Sequence, residues 1–331
     1  MILIHTAGNS KIGIGNLSRC STLASYLKEN CNKDIFLVME CSTELGEIFS
    51  IEGINNFIIS NKKEGKKLLN NINIKDKDVL IVDLLNLNNE DNIFYKNLGF
   101  KNIVQINDFN IEEFKASVVI NGDGFERKFK VSKNIEIYSG PEYIILKSDV
   151  YKNRPKILQY NDVKNILICF GGADPALYTE DVVNEIINDL RLNKFEFNII
   201  LGPAFSDERI KNLEKQNKEN INYIYKPKNL LKYIKKNDLV ITLGGLTTYE
   251  ALCLGKPVAT LGWSYMDYYV KKMSENNLTY YLGNNSLGVK KIYKCINDNE
   301  KLKEIAFNGF NKIDGNATKR ILEIISGDKN E

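Results

Sequence analysis

The sequence predicts an α/β protein of two Rossmann-like domains, each with a parallel sheet covered by helices. Short apolar runs alternate with helical patterns along the chain, which is typical of parallel strands joined by crossover helices. The alternation forms two complete series on either side of a polar stretch at 151–163, and 331 residues suffice for two domains. We therefore expect an N-terminal domain at 1–150 and a C-terminal domain at 164–331.

The predicted strands are short apolar runs bounded by polar or glycine-containing stretches. In the first half they are Ile2–Ile4, Ile35–Val38, Val79–Val82, Ile103–Ile106 and Val118–Ile120, and the first helix is Leu17–Glu29. In the second half they are Ile166–Phe170, Phe197–Leu201, Asn222–Tyr225, Leu239–Thr242 and Val258–Leu261. The helices of the second half are predicted at Thr179–Leu190, Ser206–Lys218, Asn229–Asn237, Thr248–Leu254, Tyr268–Asn276 and Asn299–Asn308.

The composition argues against several classes of protein. The 45 basic and 42 acidic residues nearly balance, so the charge gives no reason to expect nucleic-acid binding. No apolar run approaches the roughly 18 residues of a membrane-spanning helix, and the opening Met1–Ile4 lacks the basic flank of a signal peptide. Six scattered cysteines and a single histidine indicate reduced thiols and no metal centre. We expect a cytoplasmic protein that needs no metal or other cofactor; its oligomeric state is not predicted.

The segment Leu243–Ala251 is the most informative part of the sequence. It follows an apolar run and precedes a helical pattern, so a predicted strand leads through two glycines into a helix. The N–H groups and partial positive charge of a helix N-terminus suit a phosphate, and glycine lets the backbone approach the anion. An ordinary capped helix is the alternative. The candidate ligands of a nucleotide are Gly244, Gly245, Leu246, Thr247, Thr248 and, for the ribose hydroxyls, Glu250 at the predicted helix start.

Three further motifs lie at 12–20, 168–175 and 314–321. Glycine turns after strands are common, so each motif alone is weakly diagnostic, whereas four motifs in this order are much more specific. In parallel sheets such turns lie at the carboxyl ends of the strands, where ligands bind. The candidate binding residues in these motifs are Gly13, Gly15, Gly171, Gly172 and Asp174, the last of which is expected mainly to fix the loop backbone.

With these motifs the chain resembles GT-B nucleotide-sugar enzymes, in the branch that contains the UDP-sugar hydrolase of pseudaminic acid synthesis and the spore-coat polysaccharide protein SpsG. Residues 12–20 resemble its Gly-x-Gly-His-x-x-Arg start, 168–175 its Phe-Gly-Gly-x-Asp-Pro motif, and 243–251 the nucleotide-binding end of its MurG-like C-terminal domain. The resemblance implies two domains facing a central cleft, with a UDP-sugar donor on the second and a glycan or small hydroxyl acceptor on the first. Tyr143, in the family's segment before the seam, is expected to be structural or cleft-lining.

The first domain departs from the hydrolases at their catalytic positions. Where the resemblance places a histidine that activates water, this chain has Asn16, which cannot accept a proton at neutral pH. Asn16 is either a ligand for a sugar hydroxyl or the N-cap of the following helix, and Arg19 is a candidate for binding a phosphate or an acidic sugar. The possible substitute bases follow apolar strands: Asp83, ranked first, then His5, then Asp108. Each has a structural alternative as a hydrogen-bonded residue or a turn cap.

These observations lead to three hypotheses about function. The first is a glycosyltransferase of surface-glycan synthesis that moves a sugar from UDP to a hydroxyl. The second is a UDP-amino-sugar hydrolase of nonulosonic acid synthesis in which another base replaces the missing histidine. The third is an inactive nucleotide-sugar-binding protein that partners another enzyme. We favour the transferase, because several polar groups of the expected water-activating site differ together.

Overall fold

The chain folds into two compact units. The computed structural model describes residues 1–9, 13–84, 87, 89–106, 116–125, 134–216 and 218–327. The first unit contains Met1–Ser148 together with Gly315–Glu331, and the second contains Asp149–Asp314. Each unit has its own sheet, and all the strand pairs of the described residues are parallel. The α/β class and the parallel sheets predicted from the sequence are confirmed.

The sheet of the first unit has seven described strands, of which the central ones are buried on both faces. The seven strands are β1 (Ile2–Ala7), β2 (Ile35–Glu40), β3 (Asn55–Ile59), β4 (Val79–Asp83), β5 (Asn102–Ile106), β6 (Val118–Asn121) and β7 (Glu136–Ser139). Among the described residues their order is β3-β2-β1-β4-β5-β6-β7. Successive side chains of a strand point to opposite faces, so Ile2 and Ile4 enter one core and Leu3 enters the other.

The second unit repeats this plan, with a large apolar core on one face of its sheet. Its strands are β8 (Asn165–Cys169), β9 (Glu196–Leu201), β10 (Ile221–Tyr225), β11 (Leu239–Thr242), β12 (Val258–Leu261) and β13 (Tyr280–Gly283). Within the part of the chain that the structure describes, their order is β10-β9-β8-β11-β12-β13. The apolar runs predicted to be strands are all strands in the structure, and β3, β7 and β13 were not predicted.

The helices cover the faces of these sheets. In chain order they are α1 (Gly15–Asn30), α2 (Thr43–Phe49), α3 (Lys62–Asn70), α4 (Asn89–Asn97), α5 (Ser148–Lys152), α6 (Tyr178–Asn188), α7 (Asp207–Glu214), α8 (Leu231–Lys236), α9 (Leu246–Cys253), α10 (Met266–Glu275), α11 (Ser286–Val289), α12 (Ile292–Ile296), α13 (Asn299–Lys312) and α14 (Ala317–Ser326). Short 3-10 turns lie at Pro141–Tyr143 and Leu190–Lys194. In the first unit α1 and α14 cover one face of the sheet, and α3 and α4 contribute to the core on the other.

Helix α14 corrects the predicted domain boundary. The prediction gave 164–331 to the second domain, but α14 packs against α1 in the first unit, where Ala317 and Ile321 are buried. Arg320 also donates from Nη1 to the carbonyl oxygen of Glu142 at 3.0 Å. The apolar stripe of a helix shows that one side is buried, and it does not show which sheet buries it.

The polar stretch at 151–163, predicted as the seam, is part of the second unit. Arg154 donates from Nη2 to the carbonyl oxygen of Phe310 at 2.6 Å, and its guanidinium carbon lies 3.6 Å from the centre of the Phe310 ring. Leu158 lies against Gly255, where an added Cβ would come within 2.4 Å of the leucine Cδ1. The segment is therefore anchored by packing and is not an extended linker.

Three features of the described residues bear on the expectations from composition. None of their helices combines the length and apolar character needed to span a bilayer. No group of three or more His, Cys, Asp or Glu side chains among them is placed to hold a metal ion. The six cysteines are present as thiols, five of them buried.

Candidate functional site

Each sheet reverses its strand order at one point among the described strands. In the first sheet the reversal lies between β1 and β4, and in the second it lies between β8 and β11. The loops that follow the two strands at such a point diverge, and ligands of open α/β sheets bind in the crevice at the carboxyl ends there. Three of the four motifs found in the sequence follow strands at these reversals, whereas the fourth, at 314–321, leads into α14.

At the reversal of the second unit, two glycine turns lie side by side. Residues 171–172 follow β8, residues 244–245 follow β11, and the two strands are paired. Cys169, the last residue of β8, has its thiol beside the backbone of Gly171 and the side chain of Thr247, and burial raises its pKa to about 11. The structure therefore brings together two motifs that are far apart in the sequence.

Helix α9 begins at Leu246, and no side chain caps its N-terminus. Its N-cap residue, Gly245, is exposed, and a Cβ added there would meet nothing within 4 Å. The first N–H groups of an α-helix have no intrahelical acceptor and carry the positive end of the helix dipole. The backbone of Gly245, Leu246 and Thr247 therefore presents an accessible, electropositive end that fits an anion.

Thr248 does not contribute to that accessible end. Its side chain is fully buried, and its hydroxyl oxygen lies 2.7 Å from the hydroxyl oxygen of Thr242 on β11. Thr242 also accepts the N–H of Gly244 at 3.3 Å. This pair fixes the turn to the strand end, and it argues against the prediction that Thr248 contacts a phosphate directly.

Glu250 lies further along α9 than predicted. The prediction began the helix at Thr248, whereas α9 begins at Leu246, so Glu250 lies in the second turn and not at the helix start. Its side chain is half-buried. Burial is the main reason that the pKa of the Cys169 thiol is raised, and the charge of Glu250 adds to it. Glu250 is therefore close enough to the end of β8 for its charge to act on Cys169.

Asp174 fixes the backbone that follows the 171–172 turn. Its side chain is fully buried. One carboxylate oxygen accepts the N–H of Tyr178 at 3.2 Å and the other accepts the N–H of Thr179 at 2.9 Å. These are the first two residues of α6. Because Asp174 occupies these donors, the N-terminus of α6 does not offer them to an anion, in contrast to the N-terminus of α9.

At the reversal of the first unit, Asp83 is held by donors from α1. Its carboxylate is 1% exposed. Arg19 donates from Nε and Nη2 to the two carboxylate oxygens, each at 2.6 Å, and Asn16 donates from Nδ2 at 3.1 Å. The Cys20 thiol donates at 3.2 Å. These donors stabilise the ionised carboxylate and occupy both of its oxygens, so the geometry argues against Asp83 as a general base and makes it the group that positions Asn16 and Arg19.

The position of His5 also argues against its predicted role as a general base. It is fully buried, and both ring nitrogens are engaged: Nε2 lies 2.9 Å from Oε1 of Glu40, and Nδ1 lies 3.0 Å from the hydroxyl of Tyr95. Burial, followed by the charges of Glu40 and Asp91, raises the pKa of Tyr95 well above its usual value. The tyrosine therefore stays protonated and donates to Nδ1, which makes His5 a hydrogen-bonded core residue.

The remaining predicted residues of the first unit have local roles. Asn16 is the second residue of α1, so it is not the N-cap, a position that Ile14 occupies. Gly13 has a φ of +83° and exchanges two backbone hydrogen bonds with Asn9. Gly15 begins α1, and a Cβ added at either glycine would meet nothing within 4 Å.

Two further predicted residues are Tyr143 and Asp108. The ring of Tyr143 lies at 5.8 Å from the ring of Tyr138 and packs against the first core. Asp108 lies outside the described residues.

Comparison with known proteins agrees with this geometry. Residues 166–321 match the model of the glycosyltransferase family 28 C-terminal domain. The chain is 33% identical over 297 residues to the protein MJ1062 of Methanocaldococcus jannaschii, a match that covers 84% of the chain and 60% of that relative's length. It is 26% identical over 264 residues to the spore coat polysaccharide biosynthesis protein SpsG of Bacillus subtilis, covering 78% of the chain and 76% of SpsG.

Solved structures share the fold along nearly the whole chain. MurG of Acinetobacter baumannii is 12% identical with a TM-score of 0.68, covering 98% of this chain and 99% of MurG. UGT2 of Phytolacca americana, solved with UDP-2fluoro-glucose and pterostilbene, is 12% identical with a TM-score of 0.67, covering 98% of each chain. These likenesses show the GT-B fold. The second half of the chain resembles the glycosyltransferase family 28 C-terminal domain, and most of the chain is similar to SpsG.

Sequence reasoning missed one loop of the second unit. Gly262 follows β12, and its carbonyl oxygen accepts the hydroxyl of Tyr178 at 2.9 Å. Ser264 has a φ of +46°, and the rings of Trp263 and Tyr265 lie 6.2 Å apart. Since β12 pairs with β11, the loop leaves the same edge of the sheet as the two glycine turns. The signal that could have revealed this loop is Trp263, the only tryptophan of the sequence, which lies two residues after a predicted strand.

Proposed function

We propose that this protein is a glycosyltransferase that transfers a sugar from UDP to a hydroxyl acceptor in surface-glycan synthesis. The observation that carries the proposal is the uncapped N-terminus of α9 beside the 171–172 turn, because it offers backbone N–H groups to a diphosphate at the strand-order reversal. The donor class follows from the relatives: UGT2 was solved with UDP-2fluoro-glucose, and SpsG is named for polysaccharide biosynthesis.

In this proposal the second unit stabilises the leaving group. Negative charge develops on the diphosphate as the bond to the anomeric carbon breaks. Preorganised donors aimed at such a charge are among the strongest contributors to catalysis. The backbone N–H groups of Leu246 and Thr247 and the hydroxyl of Thr247 would supply them, so the proposal involves no metal ion. Glu250, close to the end of β8, would accept hydrogen bonds from the ribose hydroxyls.

The first unit would bind the acceptor in a way that disfavours hydrolysis. The Nδ2 atom of Asn16 is held by Asp83, so Asn16 would meet an acceptor hydroxyl with its carbonyl oxygen. A carbonyl oxygen orients a hydroxyl by accepting its hydrogen bond, and it does not remove the proton. Asn16 therefore does not supply the base that the resembling hydrolases use on water, and in transfer the proton of the acceptor hydroxyl would pass to the departing diphosphate.

Release of UDP from a panel of UDP-sugars tests the function. The panel is run with and without hydroxyl acceptors, which include oligosaccharides and simple alcohols. Release that depends on an acceptor supports the transferase. Vigorous release in water alone contradicts it and supports the UDP-sugar hydrolase. Binding of UDP-sugars without release under either condition supports the inactive binding protein.

Glu250 provides the first prediction for the donor site. Glu250→Ala is expected to weaken UDP binding by about 1–3 kcal/mol, because hydrogen bonds to a charged group are lost. Isothermal calorimetry with UDP measures the change. Glu275→Ala is the matched control, since Glu275 is 60% exposed and pairs with Lys272 at 2.6 Å on the same unit. Equal UDP affinity in a folded Glu250→Ala protein contradicts the assignment.

Asn16 provides the second prediction. Asn16→His is expected to raise acceptor-free UDP release by at least about tenfold, because general-base assistance is typically worth 10²–10⁴-fold. Asp83 Oδ1 lies 3.1 Å from Nδ2 of Asn16, so the carboxylate is placed to accept one ring N–H while the other nitrogen takes the proton of water. The gain should disappear as the pH falls below the range in which imidazole titrates.

Asn16→Gln is the matched control for this experiment. It keeps an amide and adds no titratable group, so acceptor-free release should stay at the native level. Equal rates of acceptor-free UDP release in Asn16→Gln and Asn16→His would show that a base at position 16 does not activate water.

A further inference from the structure

The backbone between β8 and α6 is held in a strained conformation. We call residues Gly171–Leu177 the donor turn. Within it, Gly171, Asp174 and Leu177 have φ values of +81°, +45° and +56°. For residues other than glycine this region costs about 1–3 kcal/mol, and it persists only where the surroundings enforce it. The donor turn therefore needs side chains that hold it.

Arg209, on α7, makes the contacts that hold the donor turn. It donates from Nη2 to the buried carboxylate of Asp174 at 2.7 Å and from Nη1 to the carbonyl oxygen of Ala173 at 3.0 Å. It also donates from Nε and Nη2 to the two carboxylate oxygens of Glu180, at 2.5 and 2.6 Å. Its guanidinium carbon lies 4.0 Å from the centre of the Phe205 ring. One side chain thus joins α7, the donor turn and the first turn of α6.

The residues before α7 support the same side of the turn. Ala204 donates its N–H to the carbonyl oxygen of Gly172 at 2.9 Å. A Cβ added at Gly202 would lie 2.4 and 2.5 Å from the carbonyl oxygens of Gly172 and Gly171, so the two backbones are in close contact. The carbonyl groups of Gly172 and Ala173 therefore both point toward residues 202–209.

This arrangement fixes the direction of two N–H groups. In a trans peptide the N–H of one residue points opposite to the C=O of the residue before it. Because the carbonyls of Gly172 and Ala173 point toward 202–209, the N–H groups of Ala173 and Asp174 point away from it. Neither N–H has a hydrogen-bond acceptor among the described residues. Successive backbone N–H groups held in this way form an anion-binding concavity.

We propose that Arg209 is a positioning residue for the nucleotide donor: by holding Ala173 and Asp174, it orients the N–H groups of the donor turn toward the diphosphate. The inference rests on the proposed function for the class of ligand. Arg209 itself does not touch the donor. It acts through the backbone of the donor turn. This turn follows β8, which pairs with β11, the strand that leads into α9.

Arg209→Gln tests this role. We expect the KM for the UDP-sugar and the Kd for UDP to rise by about tenfold while kcat changes less than about threefold. The reason is that the N–H groups of the donor turn bind the donor equally in the ground state and in the transition state. Arg209→Lys should not restore the affinity, since an ammonium group cannot reproduce the forked contacts of a guanidinium. Amide hydrogen exchange at Ala173 and Asp174 should be faster in Arg209→Gln.

Glu180→Gln is the matched control, because it alters one partner of Arg209 and leaves the contacts to Ala173 and Asp174. Its UDP affinity should stay within about twofold of native, because Glu180, whose side chain is 32% exposed, makes no contact with the donor turn through this pair. Native UDP affinity and native amide hydrogen exchange in Arg209→Gln would overturn the inference. An equal loss of UDP affinity in Glu180→Gln would overturn it as well. If the native protein binds no UDP, it is the proposed function that fails; exchange at Ala173 and Asp174 then decides by itself whether Arg209 holds the turn.

Discussion

Replacement of Asp83 with alanine is expected to lower the free energy of unfolding by about 3–5 kcal/mol, because it leaves the guanidinium of Arg19 buried without its carboxylate. The side chains of Arg19 and Asp83 are only 13% and 1% exposed, and the two contacts between them are each 2.6 Å. Urea unfolding of the native and variant proteins measures the difference. A loss below about 1 kcal/mol would falsify the view that this buried pair is structurally important.

Asp76→Ala is the matched control on the same unit. Asp76 pairs with Lys101 at 2.9 Å, but the two side chains are 81% and 65% exposed. An exposed pair of this kind contributes at most about 1 kcal/mol, so the control should unfold close to the native protein. The contrast separates the effect of burial from the loss of a negative charge.

The milder Asp83→Asn keeps the shape of the side chain and tests the function of the same group. We expect acceptor-dependent turnover to fall by at least about 10²-fold with UDP affinity unchanged, because Asn16 and Arg19 lose the charge that orients them. Steady-state rates and UDP calorimetry on one preparation give both values. Near-native turnover would show that the Asn16–Arg19–Asp83 cluster has no part in the reaction.

The second large effect is expected at the glycine turn before α9. Gly244→Ala should destabilise the protein by about 2–4 kcal/mol, because it combines a left-handed backbone with an overpacked side chain. Gly244 has a φ of +88°, and an added Cβ would lie 2.3 Å from Cγ1 of Val270 on α10. Thermal and urea unfolding measure this loss of stability.

A substitution at the adjacent Gly245 tests UDP binding separately from protein stability. At Gly245 the φ of −77° suits any residue, and an added Cβ meets no atom within 4 Å. Gly245→Ala should therefore keep its stability within about 0.5 kcal/mol of native. Its methyl group would lie where a diphosphate approaches the helix, so UDP affinity should fall by at least about tenfold. Unchanged UDP affinity in this variant would place the diphosphate elsewhere.

The central strands could be predicted from the sequence because burial on both faces produces a continuous apolar run. The strands that were missed, β3, β7 and β13, lie at the edges of the sheets. Asn55–Ile59 opens with two asparagines, and Glu136–Ser139 has a single aliphatic residue. An edge strand has one neighbour and tolerates polar residues, so its pattern resembles that of a loop.

The glycine turns of the candidate site could be predicted because strand, turn and helix are consecutive in the sequence. The start of α9 was placed two residues late, since Thr247 and Thr248 are poor helix formers. The roles of Asp83 and Arg209 depend on partners from other elements, which no local pattern reveals. Arg19 is a candidate ligand by residue type alone, and only the fold shows that Asp83 binds its guanidinium.

The position of α14 has a consequence for the order in which the chain acquires structure. The second unit is one continuous stretch, whereas the first unit is assembled from two stretches separated by the whole of the second. During synthesis the strands from β1 to β7 emerge first, but the helix that covers Ile2, Ile4 and α1 emerges after the second unit is complete. The unit whose strands are made first therefore receives its last covering helix only at the end of synthesis, and until then the core that contains Ile2 and Ile4 lacks Ala317 and Ile321.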